Sequence, residues 1–204
     1  MTRQGHYGPG WEKHGMWYGR WRQRRRERGA TLAETAIVAP VILFIVFGII
    51  QISFVFRSAS ITTTASRAGA RVGASAYGDA GTNAERLTVR QTMIDAVEAA
   101  LADLRDEATP TRVLIYEAPA NGDPPASCTV SCVEYQWNST TDQFDEVGGS
   151  WNDPDNCGVV LDFLGVHVEV DHQASTPIYQ STFGVSERTV MRLEPGQFTL
   201  CTSE

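Results

Sequence analysis

No ionisable side chain occurs between Glu34 and Arg57, a run of 22 residues reading TAIVAPVILFIVFGIIQISFVF. A helix of that length is about 33 Å long at roughly 1.5 Å per residue, enough to cross the hydrocarbon core of a bilayer, so the run reads as one transmembrane span. Enzyme signatures are missing as well. The chain has no nucleophile elbow, HExxH, Walker A loop or Rossmann glycine pattern, and it reads as a non-enzyme without a cofactor. No cysteine precedes the span: Cys128, Cys132, Cys157 and Cys201 all follow it. An even number of cysteines in an exported segment points to disulfides.

Four cysteines allow three pairings. SCTVSCVEYQ reads as a strand, which would hold the Cα atoms of Cys128 and Cys132 roughly 13 Å apart, too far for a direct bond. Each is therefore expected to pair with Cys157 or Cys201. A zinc site calls for closely spaced ligand pairs on both sides, and only one such pair exists, so no metal site is expected.

Charge is split across the span. Residues 1–29 carry eight Lys/Arg against two Asp/Glu, a net of +6, and residues 57–204 carry nine against 21, a net of −12. Basic residues flanking a span stay cytoplasmic, which puts the N-terminus inside and the larger part outside. A removable secretory signal has an apolar core of only 7–15 residues ending at a small-residue cleavage site. This run is longer and is closed by Arg57. The basic leader, with Trp11, Trp17, Trp21 and RWRQRRRER, also has the composition of a single-strand nucleic-acid arm. A positive-inside anchor with interfacial tryptophans and anionic lipid as its partner accounts for it more simply, so no nucleic-acid partner is expected.

At the lip of the span stand Gly29, Ala30 and Glu34, preceded by RRRER. This arrangement resembles the processing site of type IV prepilins, which a membrane aspartyl peptidase cuts after the glycine. The resemblance implies that Ala30 becomes the new N-terminus and that its ammonium pairs with the Glu34 carboxylate of a neighbouring subunit. Such pairing offsets the cost of a carboxylate at the bilayer edge. The block RGATLAETAIVAPVILFIVFGIIQISFVFRSASITTTASRAGARVGA is similar to the TadE-like minor pilins, or pseudopilins, of Tad pilus machines, with Pro40, Gly48 and the run Arg67 to Ala70 at matching positions. The valine-rich VHVEV and the closing ERTVMRLE resemble the ends of such chains. Membership implies three partners: prepilin peptidase, other pilins or pilus-assembly proteins, and membrane lipid.

Past the span, residues 58–77 are rich in small side chains and lack proline, so the first helix is expected to continue to Tyr77 and stop at GDAG. Thr82 and Glu85 form a capping-box pattern, and Leu87, Ile94, Val97, Leu101 and Leu104 recur on one face of a second helix that ends before Pro110. Four strands are expected: from Thr111, Cys128, Gly158 and Val185. The fold class is therefore α+β, a long transmembrane helix leading into an extracytoplasmic head with a second helix and a mostly antiparallel four-stranded sheet. The pieces are a disordered leader (1–29), a span and stalk (30–77) and the head (78–204).

Asp162, His167, Glu169, Asp171 and His172 are the nearest approach to a catalytic or metal cluster. Because His167, Glu169 and Asp171 share one strand face and Val166, Val168 and Val170 the other, they read as a half-solvated strand. The stretch Asn138 to Asn156 carries five acidic residues and no basic one. It reads as a solvated loop, with Asp153, Asp155 and Asn156 as Ca²⁺ candidates that lack EF-hand spacing. Asn138-Ser139-Thr140 has the form of a glycosylation acceptor. The reading that follows is a single-span structural or assembly protein of the inner membrane. A tethered binding module using the 138–156 loop is the second reading, and a membrane-anchored hydrolase the third.

Overall fold

The computed structural model describes residues 17–151, 161–174 and 182–195, with side chains from residue 31 onwards. The chain divides into two compact units, Met1–Ile49 and Ile50–Glu204. Helix α1, Trp17–Ala76, contributes to both and is 60 residues long. A 3₁₀ turn at Tyr77–Asp79 closes it, one residue from the expected stop. Helix α2 runs Asn83–Leu101, followed by a 3₁₀ turn at Ala102–Leu104.

The capping box forms as expected. The Thr82 hydroxyl accepts from the Glu85 amide, and the Glu85 carboxylate accepts from the Thr82 amide at 2.9 Å. That exchange satisfies two of the free donors at the helix start. Ile94, Val97, Leu101 and Leu104 are buried as the periodicity predicts, together with Met93. Leu87 is exposed, because the packed face of α2 begins with Val89 and Arg90.

Five strands, not four, make the sheet: β1 Ala108–Glu117, β2 Cys132–Asn138, β3 Gln143–Ser150, β4 Phe163–Gln173 and β5 Thr182–Arg192. Their order is β3-β2-β1-β4-β5, with every neighbouring pair antiparallel. The additional strand is β3, taken from the acidic stretch expected to be a loop. Asn138 makes the turn: its carbonyl accepts from the Asp142 amide and its side-chain oxygen from the Thr140 amide, each at 2.9 Å, with Asp142 at φ 56°. As an edge strand, β3 needs little apolar sequence. Phe144 is buried against Trp137 edge to face, while Asp145 and Glu146 face solvent. The Phe144 amide donates to the Glu98 carboxylate of α2 at 2.7 Å.

The cysteine expectation is overturned. Cys128 and Cys132 are disulfide-bonded, with Cα atoms 5.6 Å apart. Strand β2 starts only at Cys132, and the preceding residues fold back as a loop with Ser131 at φ 55°. The roughly 13 Å of extended chain assumed from sequence is therefore not there. Neither residue pairs with Cys157 or Cys201, which lie outside the described residues. The closed ring fits against Gly149 at φ 86°, where a Cβ would stand 2.3 Å from the Cys132 carbonyl oxygen and 2.4 Å from the Cys128 sulfur.

In the second unit the helices cover one sheet face. Val113 and Ile115 of β1, Val133 and Tyr135 of β2, and Leu164, Val166, Val168 and Val170 of β4 meet Met93, Ile94, Val97 and Leu101 of α2. On the opposite face Leu114, Tyr116, Ala118 and Cys132 form a smaller cluster. The segment between β1 and β2 lies over it, with the Tyr116 hydroxyl donating to the Gly122 carbonyl.

Gly69 of α1 lies so close to its neighbours that a Cβ there would be 2.8 Å from Val97 Cγ2, and at Gly73 it would be 2.4 Å from Leu164 Cδ2 and 2.6 Å from Met93 Sδ. A branched residue at 69 gains helix propensity but overpacks a site bounded by the stiff Val97 side chain, and the second effect is larger. Gly69→Val is expected to destabilise the full chain in detergent micelles by about 1–3 kcal/mol, measured by denaturant unfolding. Unchanged stability would show that α1 and α2 do not make this contact.

Burial, and next the nearby Glu146 carboxylate, push the Tyr135 phenol well above its ordinary value near 10. The folded-state value is raised above the unfolded one, so the neutral phenol's contribution is complete below pH 10 and is lost as pH rises beyond it. Alkaline unfolding should therefore steepen above pH 10, and Tyr135→Phe should flatten that part of the stability–pH curve.

Candidate assembly site

Within the described part of the first unit, the side chains of α1 have almost no partners in their own chain. Leu32, Ile37, Val38, Val41, Phe44 and Phe47 are all exposed, and the most apolar window has a mean hydropathy of 2.6 with none of it buried. A continuous apolar cylinder is not stable in water. The helix is long and apolar enough to cross a membrane. Pro40 lies inside it and removes one backbone donor, and beyond the local helix backbone no atom of the chain lies within 4 Å of where a Gly48 Cβ would be. Gly29 and Ala30 belong to the same helix. Glu34 is exposed.

From Gln51 onwards one face of α1 is occupied by the head. The run SASITTTAS is poor in helix formers, and its hydroxyls bond back along the helix: Ser58 to the Phe54 carbonyl, Thr62 to Ser58, Thr63 to Ala59 and Thr64 to Ser60. Two of these hydroxyls also reach across to the sheet. Ser66 Oγ lies 2.8 Å from Thr189 Oγ1 of β5, and Ser58 Oγ lies 2.9 Å from His172 Nδ1 of β4. The two contacts share one hydroxyl hydrogen, so the orientation of Ser58 and the tautomer of the fully buried His172 imidazole are set together. Beside it, Arg57 forms an ion pair with Glu107, next to the start of β1.

The expected half-solvated strand is present. Val166, Val168 and Val170 are buried in the core, and His167, Glu169 and Asp171 occupy the other face. There Arg112 bonds Glu134 at 2.9 Å and Glu169 at 3.3 Å, and His167 Nε2 lies 2.9 Å from Glu169. This is a cross-strand ion network on β2, β1 and β4. His172 is separated from it by the sheet and faces α1, and Asp162 precedes β4. Among the described residues no group of three His, Cys, Asp or Glu is arranged to hold a metal. Asp153, Asp155 and Asn156 lie outside the described residues, as do Cys157 and Cys201.

Sequence reasoning missed the docking residues. Ser58 and His172 are 114 positions apart, and nothing local marks them as partners. The available signal was the density of small residues after the span, which marks a helix face that approaches other backbones closely.

Residues 29–71 match the family described as TadE-like protein. The chain thus carries a TadE-like segment. No curated protein and no solved structure matches the chain. The TadE-like segment contains Glu34, Pro40 and Gly48 of the apolar stretch as well as Ser58, Ser66 and Gly69 of the docking face. It ends at Arg71, before α2 and the sheet begin.

Replacing Ser58 with alanine leaves His172 Nδ1 buried with nothing to bond. The expected cost is about 1–3 kcal/mol in denaturant unfolding of the full chain. Ser58→Ala combined with His172→Leu should recover part of that loss, because no orphaned polar group then remains. Strictly additive losses would exclude the bond as a source of stability.

Proposed function

We propose that this chain is a TadE-like minor pilin or pseudopilin, a structural and assembly protein of a Tad-type pilus or a related secretion apparatus, with no catalytic role of its own. The observation that carries the reading is the TadE-like match over residues 29–71 on a helix whose apolar side chains find no cover in their own chain. In this reading α1 anchors the protein in the inner membrane and packs against lipid, other pilins or pilus-assembly proteins. The +6 leader stays in the cytoplasm and the −12 remainder is carried outside. Export agrees with the Cys128–Cys132 disulfide, since such bonds persist in oxidising compartments.

Prepilin peptidase would cut between Gly29 and Ala30. The new ammonium would then meet the Glu34 carboxylate of an adjacent subunit, so that neither charge is left uncompensated in an apolar filament core. Glycine suits the cleavage position because it is the weakest helix former after proline and leaves the scissile bond uncrowded.

Co-expression with a prepilin peptidase should remove the first 29 residues and leave Ala30 as the N-terminus, read by intact mass and terminal sequencing. Gly29→Val should block the cut. Glu34→Ala should be processed yet fail to support piliation, because the ammonium loses its buried counter-ion. A Met1 terminus persisting beside an active peptidase would sink the processing step and favour a permanently tethered binding module.

A further inference from the structure

Beyond the span, α1 keeps one face in solvent. Arg57, Ser60, Thr64, Arg67, Arg71 and Ser75 are exposed at steps of three and four residues, opposite the line that meets the sheet. Arg57 is engaged by Glu107. The guanidinium groups of Arg67 and Arg71, one turn apart, have no ion pair or hydrogen bond among the described residues. Like charges at that spacing on a helix repel.

The opposite sign gathers on the other flank. No Lys or Arg occurs from residue 113 to residue 187, a stretch that includes β2, β3 and β4. On the edge strand β3 and its turn, Asp142, Asp145 and Glu146 are exposed. Asp145 accepts from Asn138 and Glu146 from Tyr135, both neutral partners. Two cations lie nearby: Arg105 is stacked 5.0 Å from the Trp137 ring, and the buried Arg90 acts on the Tyr135 phenol that bonds Glu146.

The fold puts these two charges on different sides of the head but at one level. Gly69, midway between Arg67 and Arg71, is the residue of α1 packed on Val97. Glu98, next to Val97, holds the Phe144 amide between Asp142 and Asp145. Meanwhile α1 lies on β4 and β5, through Gly73 with Leu164 and Ser66 with Thr189, and α2 reaches β3 at the far edge of the sheet.

We propose that the Arg67/Arg71 face of α1 in one copy docks on the Asp142–Glu146 edge of a second copy standing beside it in the same membrane. Because the two flanks lie at one level of the head, the cationic face of one copy meets the acidic edge of a second placed alongside it. The contact is heterologous. Each copy added leaves one cationic and one acidic flank free, and the row can extend. Lipid headgroups do not fit the cationic face: Arg67 is ten residues past the first charge after the span, roughly 15 Å further along the helix and beyond the screening length of about 8 Å at physiological salt. The proposal rests on the membrane-anchored reading above but not on cleavage after Gly29.

The test uses the full, unprocessed chain in vesicles, made once with zwitterionic lipid and once with added anionic lipid, with self-association read by energy transfer between labelled copies. Arg67→Glu with Arg71→Glu should weaken association about tenfold at low salt, and so should Asp142→Arg with Asp145→Arg. All four residues are exposed, but Asp142 stands at φ 56° in the turn, so Asp142→Asn with Asp145→Arg, which keeps that conformation, is made as a second acidic-edge variant and should weaken association in the same direction. Mixing the two charge-reversed proteins should restore energy transfer between them, since the acidic helix face of one now matches the basic edge of the other. Association indifferent to both reversals, two weakened variants that fail to rescue each other, or association seen only with anionic lipid would each overturn the proposal. Because no peptidase is present, failure of processing cannot produce any of these results.

Discussion

Gly69 and Gly73 stand one turn apart on the face of α1 that meets Met93, Val97, Leu164 and Val166, at distances no side chain would permit. Much else in the head follows from that closeness. With the helix backbone lying directly on α2 and β4, hydroxyls as short as those of Ser58 and Ser66 reach His172 and Thr189. The three contacts also agree in direction. Along α1 the order is Ser58, Gly69, Gly73, while along β4 their partners run His172, Val166, Leu164, so helix and strand are antiparallel. From Ser58 to Gly73 is about 22 Å of helix, and from His172 to Leu164 is about 27 Å of strand. The near match lets both elements stay in contact over their whole shared length.

The elements legible in the sequence were those set by local chemistry or by period. The uncharged run, the capping box at Thr82 and Glu85, and the alternation of Val166, Val168 and Val170 each need only neighbouring residues to be understood. The family likeness was legible for the same reason, because the matched segment is one helix. What escaped depended on backbone turns or on distant partners. β3 was hidden because an edge strand with one buried aromatic, Phe144, has the composition of a loop. The Cys128–Cys132 bond was excluded by assuming extended backbone at Ser131, whose φ of 55° brings the two ends together. His172 was grouped with His167 by proximity in sequence, although one step along a strand places it on the opposite face.

Charge follows the same division. The arginines of the head lie on α2, after it, and on β1 and β5, while β2, β3 and β4 carry no Lys or Arg, so each acid on those strands must look elsewhere for a counter-ion. On the outer face Arg112 of β1 serves two of them, Glu134 and Glu169. On the edge strand the hydrogen bonds of Asp145 and Glu146 among the described residues come from an amide and a hydroxyl. The arginines of α1 cannot supply the need within one molecule, since that helix lies over the other half of the sheet. An internal imbalance of this kind leaves each head with two unlike flanks.

The extent of the TadE-like match has a physical reading as well. Residues 29–71 answer to two strict demands on one helix: side chains apolar enough for the span, and side chains small enough for α2 and β4 to approach the backbone. Many apolar residue types satisfy the first demand, but only the smallest satisfy the second. The remainder of the head must fill its core and alternate correctly along five strands, and many combinations of Val, Ile, Leu and Met achieve that at small cost. The match ends at Arg71, while the close approach of α1 to α2 and β4 continues to Gly73, so the docking face is longer than the TadE-like segment.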